Sequence, residues 1–344
     1  MHIENEEQKR ADRSCGHLTK WLHPQYLSIK YSEAINFVDD LQYKGDYSDG
    51  QYSKRLQKIE LIDKGYISYK REGNDKRLHS VLTNMPKDLR PYLLFEDEHL
   101  ISLDLKSSQP FMLAGLINLV IRPNTEKVVN ECINEIKGFK RRNRIRVNIN
   151  MWKENLSSTD IPELKAYIKI VLEDDIYDYV GRNFSTEFLK KKLKFGGYKD
   201  KFYCKHKEIK KFKFFNNSRD YAKVTFLEYL YSSPNNTEER IKEVKRILPK
   251  AVTDFVNILK KNVKNDFPIF LQNLESYIVI DKVTKEFSKK YPNVPLYTIH
   301  DSVATTEKYV QPLQVALERD IKDFFGIMPK IVSEDWFEDP SEAA

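Results

Sequence analysis

Hydrophobic positions along this chain alternate between a spacing near 3.6 and a spacing near 2, which predicts an α+β protein. Ser32–Leu41 and Leu56–Gly65, within residues 1–75, have helical spacing but no chemical signature. Leu100–Leu105 reads as a short buried strand, and Pro110 then opens an apolar helix through Ile121. Residues 123–160 are polar and basic, with helical pieces and loops. Ile161–Val180 has helical periodicity behind a polar start at Ser157–Asp160. Residues 219–231 read as a helix that stops at Ser232 and Pro234. Thr237–Lys264 and Ile269–Lys290 predict two long helices separated by Asp266–Pro268. Leu296–Ile299 and Val303–Thr306 predict paired strands, with residues 300–302 at their turn. Gln311–Phe325 is amphipathic, and Met328–Val332 reads as a last strand.

Composition is compatible with this reading and narrows it little. The 344 residues, 40% hydrophobic and 32% charged, can bury a core in one large or two ordinary domains. No apolar run approaches a membrane span, and residues 1–7 lack the basic and apolar regions of a signal peptide. With only three cysteines there is no disulfide framework, so the expected location is a reducing cytoplasm without membrane association. Cys15 with His17 and Cys204 with His206 could supply four zinc ligands, but their one-residue spacing is tighter than zinc sites use. Ordinary reduced cysteines fit better.

A net charge of +7 is mild, and its distribution says more. Lys137–Arg146 holds six cations and no acid. Residues 190–213 carry eleven lysines against Asp200 and Glu208, with Phe195, Tyr198, Phe202, Tyr203 and Phe212 interleaved. Cations among stackable rings suit a nucleic-acid track. The plainer alternative for the second stretch is a solvated hairpin turning at Gly196–Gly197.

The most specific pattern lies in residues 219–231. Arg219, Lys223, Leu227 and Tyr231 recur every four positions and form one slowly drifting helical stripe, roughly 18 Å long. Two cations at one end and a ring at the other match a nucleoside triphosphate, with phosphates on the cations and base and sugar near the ring. An amphipathic helix with a solvated edge would give the same spacing. Two carboxylates bracket the stripe in sequence: Asp104 in Leu103–Leu105 and Asp301 in His300–Ser302. Either alone is most often a turn or cap residue.

Taken together and in order, these segments resemble the three motifs of the family A DNA polymerases and the phage-type single-subunit RNA polymerases. Ile101–Gln109 resembles motif A, Arg219–Tyr231 motif B and Tyr297–Val303 motif C. Arg77–Ser80, running on to Asn84–Pro86, is similar to the segment before motif A that touches primer and template. Leu271–Ser276 is similar to the helix before motif C, and Ile327–Val332 with Trp336 to the final strand. The resemblance covers about residues 75–337.

It implies a right-hand polymerase with an antiparallel palm sheet, helical fingers and a reduced thumb. Residues 1–75 would be an N-terminal helical region or small thumb, 76–122 the palm with motif A, 123–268 the fingers, and 269–344 the palm with motif C. It also implies that Asp104 and Asp301, with the carbonyl of Leu105, hold two Mg2+ ions, which Mn2+ can replace. Arg219, Lys223, Leu227, Tyr231 and Gln109 would bind the nucleotide, with Lys223 placed to protonate the leaving pyrophosphate. Arg77, His79, Gln272 and His300 would contact the primer–template. The expected partners are a DNA primer–template, or RNA, and dNTP or NTP.

The choice between DNA and RNA turns on few residues. Gln109, five after Asp104, stands where the DNA branch has a glutamate that blocks a ribose 2′-hydroxyl and contacts the motif B tyrosine. Its size and its reach to Tyr231 favour deoxynucleotides. Ser302, after Asp301, instead matches the RNA branch, and Ser232 follows Tyr231 where both branches prefer glycine. The chain has no room for a proofreading or promoter-recognition domain, which fits a compact enzyme of low processivity from a phage, plasmid or other mobile element. A single-subunit RNA polymerase or primase, a metal-dependent phosphodiesterase, and an inactive palm-shaped nucleic-acid-binding protein are the alternatives. A phosphodiesterase has no use for the 219–231 stripe.

Overall fold

The computed structural model describes residues 6–136, 139–193, 202–205, 212–215, 217–261 and 266–337. The chain divides into two compact units. One comprises residues 1–106, 275–323 and 329–344, and the other 107–274 and 324–328.

The first unit opens with α1 (Glu6–Thr19), β1 (Leu27–Ile29), α2 (Tyr31–Tyr43) and α3 (Asp49–Asp63). Ser48 starts α3 with a capping box, its side chain and Gln51 satisfying N–H groups that the first turn leaves open. Then come β2 (Tyr69–Lys70), β3 (His79–Ser80), a 3-10 turn (Lys87–Tyr92), β4 (Leu93–Phe95) and β5 (Glu98–Leu105).

The second unit begins with α4 (Ser108–Ile121), apolar and buried around nearly its whole circumference. Gly115 admits the Phe325 ring, since a Cβ there would lie 2.5 Å from its nearest carbon. The helices α5 (Glu126–Asn134), α6 (Phe139–Glu154), α7 (Asp160–Glu173), α8 (Ile176–Arg182) and α9 (Thr186–Leu193) follow. The expected single helix over 161–180 breaks at Asp174–Asp175. There the Asp175 carboxylate accepts from the amides of Tyr177 and Asp178 and starts α8 afresh. Next come the antiparallel pair β6 (Phe202–Lys205) and β7 (Phe212–Phe215), α10 (Ser218–Tyr231), α11 (Glu239–Ile247), α12 (Lys250–Leu259) and α13 (Asp266–Ser276). The proposed turn at Gly196–Gly197 lies outside the described residues.

Two further expectations are corrected here. Thr237–Lys264 is not one helix: Pro249 has no amide hydrogen to donate and forces Leu248 into an extended conformation, so α11 ends and α12 begins. Asp266–Pro268 is a helix start and not a separator, because a proline in the first turn forfeits no intrahelical bond.

Beyond residue 274 the chain rejoins the first unit through a π-helical segment (Tyr277–Thr284) and α14 (Lys285–Lys290). The hairpin of β8 (Tyr297–Ile299) and β9 (Ser302–Thr306) follows, then α15 (Glu307–Phe325) and β10 (Ile331–Asp335). The last strand thus falls three residues later than the sequence pattern suggests. The unit's main sheet is antiparallel throughout, in the order β1-β4-β5-β9-β8, with β10 also paired to β5. β5 is its centre, bonded along one edge to β9 and along the other to β4 and then β10. Leu100, Leu103, Leu105, Tyr297, Ile299, Val303 and Trp336 fill the core around it. The Trp336 indole donates to Ser102 Oγ at 2.9 Å, satisfying a buried hydroxyl in the middle of β5.

Candidate active site

In the first unit the sheet register itself brings two carboxylates together. Asp104 on β5 lies directly opposite Ser302 on β9, and Asp301 immediately precedes Ser302. Paired Cα atoms in an antiparallel ladder are about 4.5–5.5 Å apart and neighbours in the chain 3.8 Å, so the two aspartate Cα atoms lie within about 9 Å. Both side chains are half-buried. Leu105, buried and paired with Ile331, follows Asp104 at the end of the strand.

The β8–β9 turn is tight. Ile299 pairs with Ser302, leaving only His300 and Asp301 in the loop, and Ser302 Oγ donates to the Ile299 carbonyl at 2.8 Å. His300 has φ +55°, a left-handed conformation that costs a non-glycine residue about 1–2 kcal/mol. Strain of this kind persists where the surrounding structure fixes it and concentrates at sites with work to do. Here it turns the chain within two residues and sets Asp301 at the hairpin tip.

Arg77 completes this cluster. Its Nε donates to Glu275 Oε1 at 2.9 Å, and its Nη2 also donates to that oxygen. Glu275 is 1% exposed, a buried carboxylate that this guanidinium neutralises. Burial opposes the charged guanidinium, but Glu275, and after it Asp301 and Asp75, outweigh burial and raise the Arg77 pKa above its ordinary value. The Arg77 amide donates to Asp75 Oδ1 at 3.3 Å, while His79 Nε2 lies 3.2 Å from that oxygen. Ser276 Oγ donates to the Asp75 carbonyl at 2.8 Å, tying this loop to the end of α13.

The helix α10, which carries the Arg219–Tyr231 stripe, belongs to the second unit. Asn217 caps it by accepting from the Asp220 amide, and Tyr221, Ala222, Thr225, Phe226, Tyr229 and Leu230 form its buried face. The stripe of Arg219, Lys223, Leu227 and Tyr231 is the opposite, half-buried to exposed face. Gly181 lets α8 approach closely, because a Cβ there would sit 3.0 Å from the Ser218 backbone. The packing puts the Tyr177 ring between the two cations: the Arg219 guanidinium and Lys223 Nζ are each 5.9 Å from its centroid. Arg219 is not a bare cation, for its Nη2 and Nε donate to Asp175 Oδ2 at 2.8 and 3.1 Å. That hydrogen bond, against the opposing effect of burial, raises the pKa of the guanidinium.

At the other end of α10, the Tyr231 hydroxyl accepts from Gln272 Nε2 at 2.8 Å. Gln272 thus holds the hydroxyl end of Tyr231 in this structure. Gln109 is buried at the start of α4, just after Ser107, which is left-handed with φ +53°. The Lys260 ammonium, 1% exposed, donates to the Tyr229 carbonyl in the last turn of α10 and lies 4.7 Å from the Tyr229 ring centroid.

Other expected binding groups have structural partners. Arg141 Nε and Arg144 Nη2 hold the two oxygens of Asp266 at 2.8 and 2.6 Å, so half of the α6 arginines pin the start of α13. The lysine-rich stretch over 190–213 lies largely outside the described residues. Among the described residues no cluster of three or more His, Cys, Asp or Glu forms a metal cage. Cys15 is buried and donates to the Ala11 carbonyl, and His17 contacts the Ile280 carbonyl and Thr284 Oγ1. No helix among the described residues is long and apolar enough to cross a membrane.

Sequence reasoning missed Asp175, Lys260 and the partnership of Arg77 with Glu275. Glu275 carried one visible signal, a lone acid among Phe270, Leu271, Leu274 and Ile278 on an apolar helix. No protein-family model matches the chain, and no curated protein sequence matches it. Among solved structures it is similar to the POL domain of Pol1 from M. smegmatis, in complex with DNA primer-template and dNTP. The identity is 12% and the TM-score 0.33, over 88% of this chain. The chain spans 56% of that structure's length.

Proposed function

We propose that this chain is a template-directed nucleotidyltransferase that adds nucleotides to a 3′-hydroxyl, with DNA as the favoured product. The observation that carries the reading is the pairing of β5 with β9, which sets Asp104 beside Asp301. The donor set suits magnesium. Mg2+ keeps several waters and takes one or two carboxylates plus substrate phosphates, so two aspartates and the Leu105 carbonyl suffice without a protein cage. Bound there, the divalent ions would lower the pKa of the 3′-hydroxyl and neutralise charge at the phosphorus.

The chain's own residues supply the rest. Lys223, exposed on α10, would bind the triphosphate and deliver a proton to the leaving pyrophosphate. Arg219 would exchange its bonds with Asp175 for the phosphates, which are better partners for a guanidinium fork. The Tyr231 ring, held by Gln272, would stack under base and sugar, and Gln109 would disfavour a ribose 2′-hydroxyl. Arg77, His79 and His300 would face the primer end.

The test is a matrix of primed and unprimed DNA and RNA templates with labelled dNTPs or rNTPs, comparing wild type with Asp301→Ala. The expected result is extension of a primed template by wild type alone. Equal products from both proteins, or nucleotide release from DNA without any dNTP dependence, would overturn the reading. Within it, Gln109→Gly should relax the sugar preference, and an unchanged preference would remove the case for DNA.

A further inference from the structure

The two oxygens of the Asp175 carboxylate have different duties. Oδ1 accepts from the amides of Tyr177 and Asp178 at 3.0 and 3.2 Å and so caps α8. Oδ2 accepts from Arg219 Nε and Nη2 at 3.1 and 2.8 Å, a charge-assisted pair with the first residue of the α10 stripe. The neighbouring acids Asp174 and Asp178 are both paired with Arg182, at the far end of α8. Asp220 reaches Arg219 Nη1 only at 3.5 Å, a longer and weaker contact. The Asp175 side chain is 14% exposed, so solvent and salt screen its charge less than they would on an open surface. Close packing at Gly181 against the Ser218 backbone sets the spacing between α8 and the first turn of α10.

We propose that Asp175 is a positioning residue that acts on the nucleotide through Arg219: it holds the guanidinium when no nucleotide is bound, and its charge limits phosphate affinity so that pyrophosphate can leave. The inference rests on the phosphate-binding role given to Arg219 above. A phosphate that takes the Nε–Nη2 edge of the guanidinium must displace Oδ2. One that takes the Nη1 side still meets the negative charge of Asp175 beside it. By either approach the carboxylate lowers phosphate affinity, and it recovers Arg219 when the phosphate departs. Lys223, which shares the Tyr177 ring with Arg219, remains as the second cation throughout. A carboxylate that served only to cap α8 would leave phosphate affinity unchanged when another capping residue replaced it.

The experiment titrates a fluorescent dATP analogue into the full chain with Mg2+ present, then displaces it with inorganic pyrophosphate. Asp175→Asn keeps a capping oxygen for α8 and removes only the charge. Loss of an ion-pair competitor at a partly exposed site should tighten both ligands about threefold to fivefold. Adding Arg219→Gln removes the group through which Asp175 acts, so in that background Asp175→Asn should gain nothing. Unchanged or weaker binding by folded Asp175→Asn, or a gain that persists without Arg219, would overturn the proposal. If circular dichroism shows Asp175→Asn unfolded, Asp175→Ser replaces it, because a serine hydroxyl also caps helices, and the same gain is expected. A different outcome identifies failure at the level below: Arg219→Gln that binds both ligands as tightly as wild type would remove the phosphate role of Arg219, and this inference with it.

Discussion

Replacing Lys260 with methionine gives the sharpest energetic prediction. The side chains are of similar length, but methionine carries no charge. In the wild type the ammonium is 1% exposed, and burial, followed by the charge of Lys245, lowers its pKa from 10.5 to about 7. A shift of that size corresponds to about 4–5 kcal/mol against the charged form at neutral pH. The bond to the Tyr229 carbonyl and the cation–π contact with its ring favour the charged form, so a net cost of about 2–4 kcal/mol is the better figure.

The sign follows from the proton count. Between pH 7 and 10.5 the unfolded chain holds the proton on Lys260 and the folded chain has lost it, so stability rises with pH across this window. Below pH 7 both states are charged and the cost is complete. Methionine abolishes that slope but leaves the Tyr229 carbonyl with only the longer bond from Ser232 Oγ, an offset of about 1 kcal/mol. Lys260→Met should therefore be more stable than wild type by about 1–2 kcal/mol at pH 6.5, and the advantage should shrink and reverse by pH 9.5. Urea melts of both proteins at pH 6.5, 8 and 9.5 measure this directly. A difference that is the same at all three values would refute the reasoning, because a lysine with equal pKa in the folded and unfolded chain, or a purely steric effect, has no such dependence.

Three other perturbations test the frame around the site. Burial lowers the His17 pKa from 6.5 to about 4, so its contribution is intact above pH 6.5 and is lost as the pH falls toward 4. Screening at a half-buried ring leaves about 2 kcal/mol of that, and His17→Gln should flatten the wild-type decline measured by denaturant melts over this range. Arg71 Nη1 and Nη2 hold the two oxygens of Asp281, in the π-helical segment, at 2.7 and 2.6 Å. Asp281→Asn should cost about 3 kcal/mol, whereas joint replacement of both partners by apolar residues should cost much less, as a double-mutant cycle will show. Gly181→Ala gains about 0.5–1 kcal/mol of helix propensity but presses a methyl against the Ser218 backbone, giving a net loss near 1 kcal/mol in thermal melts.

Much of the second half of the sheet was legible because its signals are local. Alternation around Leu100–Leu105 and the short interval between Ile299 and Ser302 point to β5 and to the β8–β9 hairpin without reference to the rest of the chain. Strands β1, β2, β3 and β4, of only two or three residues each, are too short to carry a period. The π-helical segment also escaped notice, since its apolar positions read equally well as an ordinary helix. Breaks at Asp174 and Pro249 were readable from capping and proline chemistry, but the hydrophobic spacing across them outweighed it. What no local signal could give is pairing across the chain. Arg77 and Glu275 lie 198 residues apart, and Asp175 reaches Arg219 across 44. Such charges look like solvated surface until the fold joins them.

The central claim is that Asp104 and Asp301 jointly hold divalent ions, and anomalous diffraction tests it most directly. Crystals of the full chain grown with Mn2+, primed DNA and a non-hydrolysable dNTP would be measured near the manganese edge. The account predicts anomalous density at the carboxylates of both aspartates. Manganese bound elsewhere, with these two carboxylates uncoordinated and the nucleotide in place, would contradict it.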